Sequence, residues 1–131
     1  MTERLPNDIY RQCTAIAKSY YAMLQRRQEL TEMILYGSVL ADGQPKSNST
    51  GNPTTQKAEN LIALQSRNDY KIKAVEKAWA RMPDMAARDF IKQNIFEGTR
   101  MHYINLPMSI PTMKRLRSKF IRLVAEELGE I

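Results

Sequence analysis

The apolar residues of this chain recur three or four positions apart, and no run alternates apolar with polar residues convincingly enough to mark a strand. That spacing puts side chains on one stripe of an α-helix rather than on one face of a sheet, so it predicts an all-α fold. Glycine and proline divide the pattern. From Pro6 to Tyr36 the stripe holds Ile9, Cys13, Ile16, Tyr20, Met23, Leu24, Leu30, Met33 and Ile34. Pro6 is tolerated in a first helical turn, Asn7 and Asp8 add negative character there, and Gly37 is a natural stop. A helix of about thirty residues spans about 45 Å at 1.5 Å per residue, more than a small domain covers. Either the rod is kinked or broken and folds on itself, or part of it packs against a second copy in a homodimer.

Gly37 to Thr55, GSVLADGQPKSNSTGNPTT, is nearly free of apolar residues after Leu40 and is expected as a mobile loop, 37–55. It lacks the spacing of a phosphate-binding glycine loop and no buried strand precedes it. A second helix is expected from Thr54 or Thr55 to Arg81, with Ala58, Leu61, Ile62, Leu64, Ile72, Val75, Ala78, Trp79 and Met82 as its stripe. The polar run Gln65 to Lys71 interrupts that stripe. Met82-Pro83-Asp84 ends the helix, because a residue before proline avoids the helical region. Asp84 then caps a third helix, Met85 to Glu97, which Gly98 closes.

The chain has 131 residues, enough for one domain with a short appendage, and carries 20 Lys and Arg against 14 Asp and Glu. One Cys and one His make neither a disulfide nor a structural zinc site. A single His, His102, forms no His-based dyad, and the carboxylates Glu29, Glu32, Asp84 and Asp89 are scattered. No catalytic residue, metal or cofactor is therefore expected, and the chain does not read as an enzyme. Cys13, on an apolar stripe, reads as a small buried hydrophobe. No apolar run approaches the roughly 18–20 residues that span a bilayer, and MTERLPNDIYRQ has no apolar signal core. The expectation is a cytoplasmic protein in a reducing compartment, with no membrane partner.

The charge layout says more than the net +6. From Gly98 to Ala125 there is no acidic residue, while Arg100, Lys114, Arg115, Arg117, Lys119 and Arg122 lie within that span. Such clustering is the footprint expected of a phosphate-binding surface. A shorter acid-free stretch, Ile9 to Gln28, carries Tyr20 and Tyr21 among basic residues and reads as helix core with a basic rim. Arg100 to Asn105 is a candidate short helix and Leu106-Pro107-Met108 a turn. Ser109 has the chemistry of an N-cap, and Pro111 falls in a first turn. The last helix then sets Ile110, Met113, Leu116, Phe120, Val124 and Leu128 on one face, with Leu123 beside them, and ends at Gly129. Lys114, Arg115, Ser118, Lys119 and Arg122 fall opposite, with Arg117 at the seam. Short helix, turn and cationic helix is a helix-turn-helix layout. Its expected extent is residues 99–131, after a helical scaffold and oligomerisation region 1–98. A B-DNA major groove admits one α-helix, whose N-terminal residues reach base edges. Thr112, Lys114 and Arg115 occupy that end; Lys119 and Arg122 are better placed for phosphates.

At these residues the chain resembles a known family. YRQCTAIAKSYYAM, a Gly/Ser/Asn loop and LPMSIPTMKRLRSKFIRLVAEELG look like phage-encoded transcriptional regulators of the ArpU/RinA type, whose C-terminal part is similar to region 4 of sigma factors. The layout of most of the chain is covered, and the motif about Thr99 to Gly129. The segment S-x-x-T-x-x-R-x-R-x-x-F, which opens the recognition helix in that family, falls on Ser109, Thr112, Arg115, Arg117 and Phe120. The resemblance implies a phage or prophage origin, double-stranded DNA as partner and control of phage genes. Two other readings fit the same residues: a small terminase subunit for DNA packaging, and a non-catalytic interaction module that binds RNA polymerase or another host protein.

Overall fold

A computed structural model describes residues 4–42 and 53–131, with side chains for 4–36 and 55–131. Five α-helices follow in order among the described residues: α1 (Asn7–Lys18), α2 (Tyr20–Asp42), α3 (Pro53–Ala80), α4 (Met85–Ile91) and α5 (Ile110–Leu128). No strand occurs among them, so the fold is all-α. A π-helical turn, Lys92–Phe96, prolongs α4, and a single 3-10 turn, Met101–Tyr103, lies before α5.

The long first helix is broken. Pro6 stands outside α1 as its cap, with extended backbone, and its carbonyl accepts from Tyr10 N at 2.9 Å. Ser19 interrupts the helix, its N–H shared between the carbonyls of Ala15 and Ile16 at 3.1 Å each. The Ser19 hydroxyl donates to the Ala15 carbonyl at 2.8 Å, a local bond that competes with the helical ladder and bends helices. At the other end, α2 runs through Gly37 to Asp42. Glycine costs about 1 kcal/mol inside a helix, too little to stop one whose next residues include Val39 and Leu40. Of the loop expected at 37–55, residues 37–42 and 53–55 are therefore helical, and 43–52 lie outside the described residues.

The chain forms two compact units: Met1–Tyr21 with Lys71–Ile131, and Ala22–Tyr70. The division thus falls elsewhere than at 98/99. Residues 99–131 belong with α1 and α4, because α5 packs on both of those helices. The core of this larger unit contains Cys13, Ala17, Ile72, Val75, Ala78, Phe90, Ile91, Ile95, Met113, Phe120, Ile121 and Val124, all essentially without solvent exposure. An aromatic series threads it. Tyr20 and Phe96 have ring centroids 4.8 Å apart, and Phe96 meets Phe120 edge-on at 5.9 Å. The Trp79 indole N–H donates to the Arg88 carbonyl at 2.9 Å, tying the end of α3 to α4.

The smaller unit is a hairpin of α2 and α3 residues. Asn68, buried, donates from Nδ2 to the Met23 carbonyl at 2.9 Å, and Gln65 Nε2 donates to Thr31 Oγ1 at 3.0 Å. Its sequence holds five basic and five acidic residues, so the whole +6 of the chain resides in the larger unit.

Candidate nucleic-acid interface

The exposed face of α5 is set by its first turn. Ser109 has extended backbone and caps the helix, its hydroxyl accepting from Thr112 N at 3.4 Å, with Pro111 in the first turn. Ser109 Oγ and Thr112 Oγ1 lie 3.0 Å apart, and Arg115 Nη2 donates to Thr112 Oγ1 at 3.3 Å. These bonds hold Ser109, Thr112 and Arg115 in one cluster at the N-terminal end. Gly129, at φ 79°, closes the other end in the left-handed conformation that glycine adopts without steric cost.

The predicted stripe is the buried one. Met113, Phe120, Leu123 and Val124 are buried, and Ile110, Leu116 and Leu128 half-buried. Ile121 and Ala125, absent from that stripe, are buried too, because α5 is enclosed by α1 on one flank and α4 on another.

Lys114, Arg115, Ser118 and Lys119 are exposed. At about 100° per residue they occupy an arc of about 140°. Among the described residues no carboxylate lies within ion-pair distance of Lys114, Arg115 or Lys119. Two cations of the predicted set are engaged by the protein. Arg117 is half-buried and its Nη1 donates to Asn94 Oδ1 at 2.6 Å, while Asn94 Nδ2 donates to the Thr99 carbonyl at 3.0 Å. Arg117 thereby fastens α5 to the π turn and the segment after it. Arg122 Nε lies 3.7 Å from Glu126 Oε2, one turn on, with its side chain 32% exposed. The free positive charge is thus concentrated in the first half of α5.

The acids that follow are also engaged. Arg81, at the end of α3, reaches Glu126 Oε1 at 3.0 Å and Glu127 Oε2 at 2.9 Å. The hydrogen bonds it donates to these two carboxylates push its pKa up further, so the guanidinium stays charged at any relevant pH. Lys114 precedes Glu126 by twelve residues, about 18 Å of helix. That is about two Debye lengths at physiological salt, so these acids barely offset Lys114, whereas Lys119, seven residues before Glu126, stands about one Debye length from it.

The segment before α5 departs from expectation. A three-residue 3-10 turn stands where a helix Arg100–Asn105 was predicted. Arg100 and Ile104 flank it with extended backbone, and Pro107 keeps Leu106 from continuing any helix. The α-helical element preceding α5 is α4 with its π turn. Asp84 caps α4 as predicted, accepting from Ala87 N at 2.8 Å, and Gly98 ends the π turn region at φ 76°. The 3-10 turn packs against α5 and presents His102 and Tyr103 to solvent, Tyr103 76% exposed. Sequence reasoning passed over Tyr103, Asn94 and Arg81. Only the acid-free neighbourhood hinted at the first; the other two are matched by residues 23 or more positions away.

Elsewhere in the larger unit Tyr20, Tyr21, Glu76, Trp79, Lys92 and Phe96 line a cleft of about 160 Å³, across which the Tyr20 hydroxyl donates to Glu76 Oε2 at 2.7 Å. Among the described residues no group of three or more His, Cys, Asp or Glu is placed to hold a metal ion, and no helix is long and apolar enough to cross a membrane. Comparison of the chain with protein-family models, curated proteins and solved structures found no match.

Proposed function

We propose that this chain is a sequence-specific, double-stranded DNA-binding regulator of transcription, of phage or prophage origin, that lays the first half of α5 in the major groove. The observation that carries the reading is the exposed arc Lys114, Arg115, Ser118 and Lys119, free of neighbouring carboxylates among the described residues. A cationic helix face on a rigid, capped support suits a groove lined by phosphates. Arg115, at the N-terminal end, suits a bidentate contact with guanine O6 and N7; Lys119, a turn later, suits a phosphate. Ser109 and Thr112 hydroxyls and the exposed Tyr103 add donors at the same end. α4 with its π turn supports α5, held to it through Asn94 and Arg117. RNA polymerase is the protein partner suggested by the resemblance to sigma region 4. Two copies would present two such helices to half-sites about one helical turn apart.

Fluorescence anisotropy with duplex DNA over a salt series tests the reading. Three phosphate contacts per copy give a log–log slope of about −3 per copy. Negligible affinity for any duplex even at low salt would refute it. The exposed apolar residues of the hairpin also suit a small terminase subunit, which assembles in larger numbers; a particle of many chains favours that reading over regulation.

A further inference from the structure

The cleft in the larger unit draws on α2, α3 and the π turn. Tyr20 and Tyr21 open α2, Glu76 and Trp79 stand about one turn apart near the end of α3, and Lys92 and Phe96 lie on the π turn. Neighbouring residues of an unbroken helix point about 100° apart. Here, just past the break at Ser19, the rings of Tyr20 and Tyr21 both meet Phe96, with centroids at 4.8 and 6.1 Å. Among the described residues Trp79 makes no ring contact with these three, so it forms a separate wall. Its indole N–H is fixed on the Arg88 carbonyl at 2.9 Å. A cavity of about 150 Å³ takes a benzene ring, so about 160 Å³ takes one flat ring and leaves the rest of a larger ligand at the open rim.

Two charged groups decide which ring that is. Among the described residues Glu76 and Lys92 line the same cleft without pairing with each other, and Lys92 has no other partner. The Tyr20 hydroxyl, donating at 2.7 Å, takes one lone-pair site of the Glu76 carboxylate and leaves about three. A purely apolar ring there would strip water from that carboxylate without replacing its hydrogen bonds. A cationic side chain would meet Glu76 but also Lys92, in the unit that holds the whole net charge of +6. The charges select instead a flat ligand with N–H donors on one edge and a negative group elsewhere. A nucleobase with its phosphate has both. Guanine alone among the common bases carries two adjacent donors, N1–H and the 2-amino group, in the parallel array that a carboxylate accepts bidentately. Adenine and cytosine set one amino group beside an acceptor nitrogen. Thymine and uracil place one N–H between two carbonyls. Each of these four turns an acceptor toward the carboxylate.

We propose that this cleft binds the guanine base of a guanosine 5′-phosphate. The base stacks against Trp79 and the cluster of Tyr20, Tyr21 and Phe96, its N1–H and 2-amino group donate to Glu76, and its phosphate meets Lys92. Stacking alone tolerates any base; Glu76 supplies the choice. The phosphate belongs either to a free nucleotide or to a guanine turned out of a single strand. No residue of α5 lines the cleft, so this site is separate from the face proposed for duplex DNA.

Trp79 is the sole tryptophan of the chain, so its fluorescence reports the cleft directly. Titration of the full chain with guanosine monophosphate should quench it saturably below about 1 mM, and adenosine monophosphate should bind at least about tenfold more weakly. Glu76→Gln should cost guanosine monophosphate about tenfold and adenosine monophosphate no more than about twofold. Lys92→Ala should reduce the affinity for guanosine monophosphate to that for unphosphorylated guanosine. Both side chains are exposed, so the far-ultraviolet circular dichroism of either variant should match the wild type. A thymidine oligonucleotide with one internal guanine that quenches equally assigns the base to a strand; one that leaves the signal unchanged assigns it to the free nucleotide. Absence of saturable quenching at about 1 mM, equal affinity for the two monophosphates, or quenching by an arginine amide in place of guanosine monophosphate would each overturn the proposal. No duplex enters the test, so such a result leaves the duplex-binding reading standing.

Discussion

Arg115 and Lys119 lie four residues apart on the same exposed face, yet their surroundings assign them different tasks. Arg115 is steadied by Thr112 at the N-terminal end of α5, the end proposed to enter a groove, whereas Lys119 stands further along without a partner among the described residues. Arg115→Ala should cost about 1–3 kcal/mol on a preferred site and relax sequence preference, while Lys119→Ala should weaken all duplexes alike and reduce the salt slope by about 1. Anisotropy titrations on specific and random duplexes check this, and equal effects of both variants on both duplexes would defeat the assignment. Arg117 has a different role, since its guanidinium is spent on Asn94. Asn94→Ala should lower stability by about 1–2 kcal/mol in denaturant melts, the worth of a part-exposed hydrogen bond to a charged group. Cys13 is buried, and burial first, then the nearby Glu130 charge, raises its thiol above the ordinary 9.0. The native state therefore keeps a proton that the unfolded chain releases at about pH 9. That contribution to stability is whole below this pH and is lost as pH rises toward the native value. Wild type should lose stability between pH 8.5 and 10 more steeply than Cys13→Ala, as read from guanidinium midpoints across that range.

Among the elements, α5 and α4 owe their starts to single side chains. Asp84 accepts from Ala87 N at 2.8 Å and Ser109 from Thr112 N at 3.4 Å, so Asp84→Ala should cost about 1 kcal/mol and Ser109→Ala less, measured by thermal melts. The caps, the buried stripe of α5 and the exposure of Lys114, Arg115, Ser118 and Lys119 were legible because each depends on residues three or four apart. The break at Ser19 was not. A serine inside a helical pattern gives no signal of whether its hydroxyl turns back on the carbonyl four residues earlier. The π turn was equally hidden, since its wider hydrogen bonding leaves the apolar spacing of Phe90, Ile91, Ile95 and Phe96 compatible with an ordinary helix. Engagement of Arg117 by Asn94 and of Arg122 by Glu126 separated two cations from a set that looked uniform. One contact is remote in sequence, and the other depends on a rotamer that sequence does not specify.

For the whole molecule, the C-terminal segment is not a detachable reading head. Its Phe120, Ile121 and Val124 are closed off by α1 and α4, whose own buried residues need α5 in return. A peptide of residues 99–131 should be largely non-helical in far-ultraviolet circular dichroism, and a strongly helical peptide would contradict this mutual dependence. The uneven distribution of charge between the two units has a practical outcome as well. Added electrolyte strips counterion-driven contacts with a polyanion but leaves the burial of hydrocarbon intact or strengthens it. Ionic strength is thus a selective lever: brine should wash any bound nucleic acid from the protein while the apolar core around α5 stays closed.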